Sequence, residues 1–118
     1  HSINTILLNY TIANHFASTE DYPSSEQYVK RCYELLHSGK CEFNTPTDSI
    51  LLSGALHNIE GMIETPRNPE KADNLLHLAL KEWESTGRQD YSIYVNLGKL
   101  YIEQKRTTYK QNRFYKSC

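Results

Sequence analysis

No stretch of this chain runs for about 18 apolar residues, the length a helix needs to cross a bilayer, so no transmembrane span is expected. No segment alternates apolar and polar side chains long enough to build a sheet. There is no glycine-rich phosphate loop, and neither a His-Glu-x-x-His nor a Cys-x-x-Cys spacing that would hold zinc. Cysteine is sparse and odd in number: Cys32, Cys41 and Cys118. That pattern argues for a reduced, intracellular protein (cytoplasmic or nuclear) rather than a disulfide framework, with a Cys32–Cys41 bridge as the minority alternative. The net charge of −1 removes any whole-chain case for nucleic acid or an anionic membrane. No signal peptide is visible. The chain opens His1-Ser2 without Met, and the expectation is a domain taken from something longer, or the remnant of a tag.

What remains is a sequence rich in helical periodicity. At 118 residues it fits one domain. A chain of this size buries about 65% of its unfolded surface, enough for a core. A first helix is expected over 2–17, capped by Ser2, with Ile3, Ile6, Leu7, Tyr10 and Ala13 on its apolar face. Pro23 ends that region, and Ser24 with Gln27 has the form of a capping box for a second helix over 24–37. Its stripe is Val29, Cys32, Tyr33 and Leu36, and Gly39 suits a left-handed C-terminal cap. Thr45-Pro46-Thr47-Asp48 opens a third helix over 46–64, and Asn68-Pro69 a fourth over 69–85. The stripes are Leu51, Leu52, Ala55, Leu56, Ile59, Met62 and Ile63 on the third, and Ala72, Leu75, Leu76, Ala79, Leu80 and Trp83 on the fourth. Asp90 caps a fifth helix over 90–104. A short, frayed sixth is expected over 107–117, because Thr107 and Thr108 are poor helix formers. The fold class is all-α, built of five to six helices in antiparallel hairpins.

On the fifth helix Tyr94, Leu97 and Tyr101 recur at helical spacing and are expected to pack together. Gly98 lies between them despite a cost of about 1 kcal/mol against Ala, which predicts a backbone in close approach. Tyr94, Leu97, Gly98 and Tyr101, with Ala72, Leu76, Ala79 and Leu80, resemble the first- and second-helix sets of tetratricopeptide (TPR) units, which repeat about every 34 residues. Leu56, Ile59 and Ile63 fit the large positions of the preceding first helix. Glu60 stands where that pattern has Gly or Ala, and a register through Gly54 is the alternative. Ile59 and Leu97 are 38 residues apart, which places an insertion in the 84–89 turn. The resemblance covers about 55–107 and is architectural elsewhere. It implies a TPR-like α-α superhelix whose first helices line a concave groove.

The groove-facing stripe implied on the fifth helix is Ser92, Asn96, Lys99 and Glu103, matched on the third by His57, Asn58 and Gly61. Asn side chains can bond the backbone of an extended peptide, and Lys99 can meet a carboxylate. The implied function is an adaptor or scaffold module that binds a peptide or helix of a partner protein. The competing reading is an ordinary solvated face.

No catalytic residue, metal ligand set or cofactor is expected. Cys32 lies on an apolar face, and Glu60, Glu64, Glu82 and Glu84 read most simply as surface charges. Charge is unevenly spread: residues 1–104 hold 8 basic and 14 acidic residues, net −6, and residues 105–118 hold 5 basic and none acidic, net +5. Lys105, Arg106, Lys110, Arg113 and Lys116 interleave with Tyr109, Phe114 and Tyr115. This tail suits a capping helix against the acidic body, and alternatively a single-stranded nucleic-acid contact. A third reading is a piece of a longer solenoid, whose bare ends would self-associate.

Overall fold

The computed structural model describes residues 3–39 and 42–117, with side chains as far as residue 108. Cys41 and Cys118 lie outside the described residues, as does Ser2 with its expected cap. The side chains of Tyr109, Lys110, Arg113, Phe114, Tyr115 and Lys116 do as well. Five helices occur in the order α1 (Ile3–Ser18), α2 (Tyr22–His37), α3 (Pro46–Glu64), α4 (Pro69–Ser85) and α5 (Tyr91–Ser117). The fold is all-α, and no strand occurs among the described residues. Among those residues no helix is long and apolar enough to cross a membrane.

Local chemistry sets most boundaries. Thr45 and Asp48 form a reciprocal capping box at the start of α3, with Pro46 in the first turn, where its missing N–H costs nothing. Asn68 accepts from the Lys71 N–H at the start of α4, again followed by Pro69. Gly39 and Gly87 both take positive φ just past α2 and α4, conformations that other L-residues adopt only under strain.

Two boundaries differ from the expected ones. Helix α2 begins at Tyr22, because Asp21 caps it, accepting from the Ser24 N–H and hydroxyl. Pro23 therefore sits within the first turn and does not exclude it. The three-residue link before it is tight enough to hold Glu20 at φ 64°. Helix α5 runs unbroken through Thr107 and Thr108, replacing the shorter fifth and sixth helices expected. Thr107 donates its hydroxyl to the Glu103 carbonyl one turn back, which satisfies the side chain inside the helix.

Contacts fix the topology. Along α1 and α2, Ser25 donates to the Ala13 carbonyl and the Cys32 thiol sits against the Ile6 carbonyl, so numbers fall in one helix as they rise in the other. The same antiparallel order joins α2 to α3, through Tyr33–Glu60 and Glu26–Arg67. It recurs in α3 and α4, through Ser53–Glu82 and Gly61–Leu76. Helices α3 and α5 instead run in parallel order: Asn58 bonds Ser92 and Asn96, and farther along Met62 and Thr65 share a cleft with Lys99 and Glu103. Helices α1, α3 and α5 thus form one layer, and α2 and α4 the other. Among the described residues no Cα of α2 lies within 8 Å of one of α4. The molecule measures 59 × 30 × 19 Å.

The core has two parts. One gathers Ile6, Ala13, Val29, Cys32, Leu56 and Ile59 from α1, α2 and α3. The other gathers Ala72, Leu76, Ala79, Ile93, Leu97 and Leu100 from α4 and α5. A fully buried Leu or Ile contributes roughly 1.5–3 kcal/mol, so these stripes drive the packing. The α2 stripe is centred on Ser25, Val29, Cys32 and Leu35, with Tyr33 and Leu36 at its edge. Leu7 is exposed rather than packed in the α1 face. Burial pushes the Cys32 thiol up to about 11, so it is protonated at neutral pH and unreactive.

The α5 packing face is rotated from the expected one. Ile93, Leu97 and Leu100 are buried, whereas Tyr94 and Tyr101 are exposed. Gly98 does not admit a neighbouring backbone: a Cβ built there would meet nothing within 4 Å. Close approach occurs at other glycines. A Cβ on Gly54 would lie 2.4 Å from Trp83 Cδ1, and one on Gly61 would lie 2.5 Å from Leu76 Cδ2. Helix α3 therefore uses glycine to seat the large side chains of α4.

Candidate functional site

A shallow groove runs along the layer of α1, α3 and α5, with α3 as its floor. Its three sections differ in chemistry. Near the start of the helices a cleft of about 490 Å³ is walled by Leu7, Tyr10, Leu51, Ala55 and Trp83, with Asp48 and Asp90 among its polar lining. The middle section is polar, lined by Asn14, Ser18, Asn58, Ser92 and Asn96, with Met62 beside them. The far section brings Lys99, Glu103 and Glu20 around Tyr22, Met62 and Pro66.

A chain of hydrogen bonds ties the middle together. Asn96 Nδ2 donates to Asn58 Oδ1 at 2.9 Å, and Asn58 Nδ2 donates to Ser92 Oγ at 2.9 Å. Ser92 Oγ then donates to Asp90 Oδ1 at 2.7 Å, and the Ser92 N–H donates to the same oxygen. Both amides are more than nine-tenths buried, at 4% and 5% exposure. Burying an amide without a partner costs about 1–3 kcal/mol, so this chain is what allows two asparagines between α3 and α5. The Asp90 charge also acts on Tyr10 across the apolar cleft. Burial first, then that charge, raise the Tyr10 phenol above its ordinary value.

The residues expected in the groove separate into two sets. Ser92, Asn96, Lys99, Glu103 and Asn58 line it, although Asn96 is buried in the helix contact and is not an open polar position. His57 and Gly61 face α4 instead. The His57 ring bonds Glu82, which also accepts from the Ser53 hydroxyl at 2.6 Å. Serine, histidine and carboxylate meet here, but the carboxylate stands between the other two. The imidazole is therefore not wired to take the serine proton, as a nucleophilic triad requires. Glu82 and Glu60 are half-buried acceptors between helices, Glu60 receiving the Tyr33 hydroxyl, rather than free surface charges. Burial and the adjacent Glu60 hold the Tyr33 phenol well above its ordinary value. Lys105 and Arg106 are exposed on α5 beyond the groove. Lys110, Arg113 and Lys116 lie outside the residues whose side chains are described.

Helix α1 contributes a wall that the sequence reading does not include. Leu7, Asn14 and Ser18 sit one residue beyond the buried Ile6, Ala13 and Ala17 and repeat at the same spacing. That second stripe is the signal that could have found it. Among the described residues no group of three or more His, Cys, Asp or Glu could hold a metal ion. Comparison with protein-family models, with curated proteins and with solved structures gave no match to this chain.

Proposed function

We propose that the groove over α3 binds an extended peptide segment of a partner protein, in the manner of a TPR-like adaptor. The observation that carries this reading is the hydrogen-bonded chain Asn96–Asn58–Ser92–Asp90 along an otherwise open trough. It fixes two carboxamides between an apolar cleft and a charged end. Asn14, Ser18 and Lys99 are exposed beside that buried chain and present the donors and acceptors that an extended backbone needs. The apolar cleft suits a large hydrophobic side chain, and Lys99 suits an acidic group at the opposite end.

The layered order supports the TPR-like element of the proposal. Successive antiparallel hairpins leave their first helices side by side, which is the arrangement that generates a concave face. An intracellular setting rests on the odd cysteine count and the protonated, buried Cys32. A non-catalytic role rests on that inert thiol and on the wiring of Glu82 between Ser53 and His57.

Selection from a peptide library tests the groove. Lys99→Glu and Glu103→Lys leave the core untouched. Lys99→Glu should shift selected peptides away from acidic residues at one end and weaken the parent peptides about tenfold or more. Identical selections from the parent and both variants would remove the groove assignment. The alternative, nucleic acid bound through Lys105, Arg106 and the residues after them, requires retention on oligonucleotides that falls steeply with salt.

A further inference from the structure

The outer face of α5 is apolar and uncovered. Tyr91, Val95 and Ile102 are 76%, 55% and 62% exposed, and Tyr94 and Tyr101 stand beside them at 43% and 53%. They surround Gly98, whose Cα opens onto empty space. Helix α3 shows what such a face does when it is filled. Aligning Gly98 with Gly61 places the buried Ile93 over the buried Leu56, and Leu100 over Ile63. In that register the α3 face bearing Gly54 and Gly61 is covered by α4, and the matching α5 face bears Tyr91 and Gly98. A mid-helix glycine costs about 1 kcal/mol against Ala, and nothing among the described residues of one copy uses the space at Gly98.

We infer that this face is the interface between two copies of the chain, paired antiparallel through α5 with Gly98 at the two-fold axis. The pattern around Gly98 is self-complementary. At 100° per residue, Tyr94 and Tyr101 fall on one flank and Val95 and Ile102 on the other. A two-fold axis perpendicular to α5 at Gly98 therefore sets Tyr94 against the second copy's Tyr101, and Val95 against the second copy's Ile102. It also sets Tyr91 against the second copy's Lys105, a cation over an aromatic ring. Glycine against glycine at the centre lets the two backbones approach closely, as an isologous contact requires. The five apolar side chains expose on the order of 100 Å² each, about 1,000 Å² over two copies, just under the 1,200 Å² at which stable interfaces begin. A weak dimer follows, with dissociation in the micromolar range or above.

Sedimentation equilibrium of the full chain from about 1 µM to several hundred µM brackets such an affinity and reads the association. A monomer–dimer equilibrium is expected, and Ile102→Glu should shift it at least tenfold toward monomer with the circular dichroism spectrum unchanged. Gly98→Cys, made together with Cys41→Ser and Cys118→Ser, should oxidise to a disulfide-linked dimer. Lys81→Cys on the exposed side of α4, in the same background, should not. A chain that stays monomeric throughout, or a dimer indifferent to Ile102→Glu, overturns the inference. So does crosslinking through Gly98→Cys no greater than through Lys81→Cys. Val95 borders both this interface and the middle section of the groove, but Ile102 and Gly98 line none of it, so peptide selection by the Ile102→Glu variant separates this interface from the groove reading.

Discussion

Helices α3 and α5 carry closely related faces and meet different surroundings. Both bury two large aliphatic side chains seven residues apart, Leu56 and Ile63 on α3, Ile93 and Leu100 on α5. Both carry a mid-helix glycine in matching register. On α3 the glycine is occupied to the limit of contact, with Leu76 seated over Gly61 and Trp83 over Gly54. On α5 the same register looks out on solvent. The difference teaches that a helical glycine records a packing opportunity, and only the neighbouring helix decides whether it is used.

The largest effect expected is on the filled side. Leu76→Ala removes the side chain that covers Gly61 and should cost about 2–5 kcal/mol in denaturant unfolding. Its counterpart on the open side, Ile102→Ala, should fall within about 0.5 kcal/mol of the parent when measured on monomer. Similar losses for the two would erase the contrast. Overfilling probes the same contact from the other direction. Gly61→Val drives new methyl groups into Leu76 and should destabilise by roughly 1–3 kcal/mol. Adding Leu76→Ala to Gly61→Val should then cost less than the two changes taken separately.

Between these extremes lies the polar contact that joins α3 to α5. Asn58→Ala leaves the buried Asn96 amide without its acceptor and should cost about 1–3 kcal/mol. The double variant Asn58→Ala with Asn96→Ala should be less damaging than the two single losses combined. Strict additivity would mean the amides do not act as a unit. One further effect has the opposite sign. Gly98→Ala should stabilise the monomer by about 0.5–1 kcal/mol, because the methyl group meets nothing and the helix gains propensity. A destabilised monomer would show that the space at Gly98 is not open in solution.

How much of this can be read in the sequence follows from how local each determinant is. Helices α3 and α4 are legible to the residue, because Thr45-Pro46 and Asn68-Pro69 carry their start signals within one turn. The start of α2 is not, since Asp21 and Ser24 are both good caps and only the folded link selects Asp21. The break expected at Thr107 fails because threonine can return its hydroxyl to the helix that holds it. The polar stripe Ser92, Asn96, Lys99 and Glu103 is visible as spacing. Its burial at Asn96 depends on Asn58, a partner far along the chain, and no local pattern states that. The two faces of α5 are misjudged from sequence for the same reason: Tyr94 and Tyr101 have the composition of packed residues, and which aromatic is covered is settled by the helix opposite.

Because α3 is both the floor of the groove and the centre of the larger core, occupancy and folding are thermodynamically linked. Anything that settles over Asn58 and Asn96 holds together the contact on which α5 depends. A ligand present at 100 times its dissociation constant would raise unfolding free energy by about 2.7 kcal/mol, a shift in melting temperature of roughly 10 °C for a domain of this size. Candidate peptides can therefore be ranked by the temperature at which the protein melts in the presence of each.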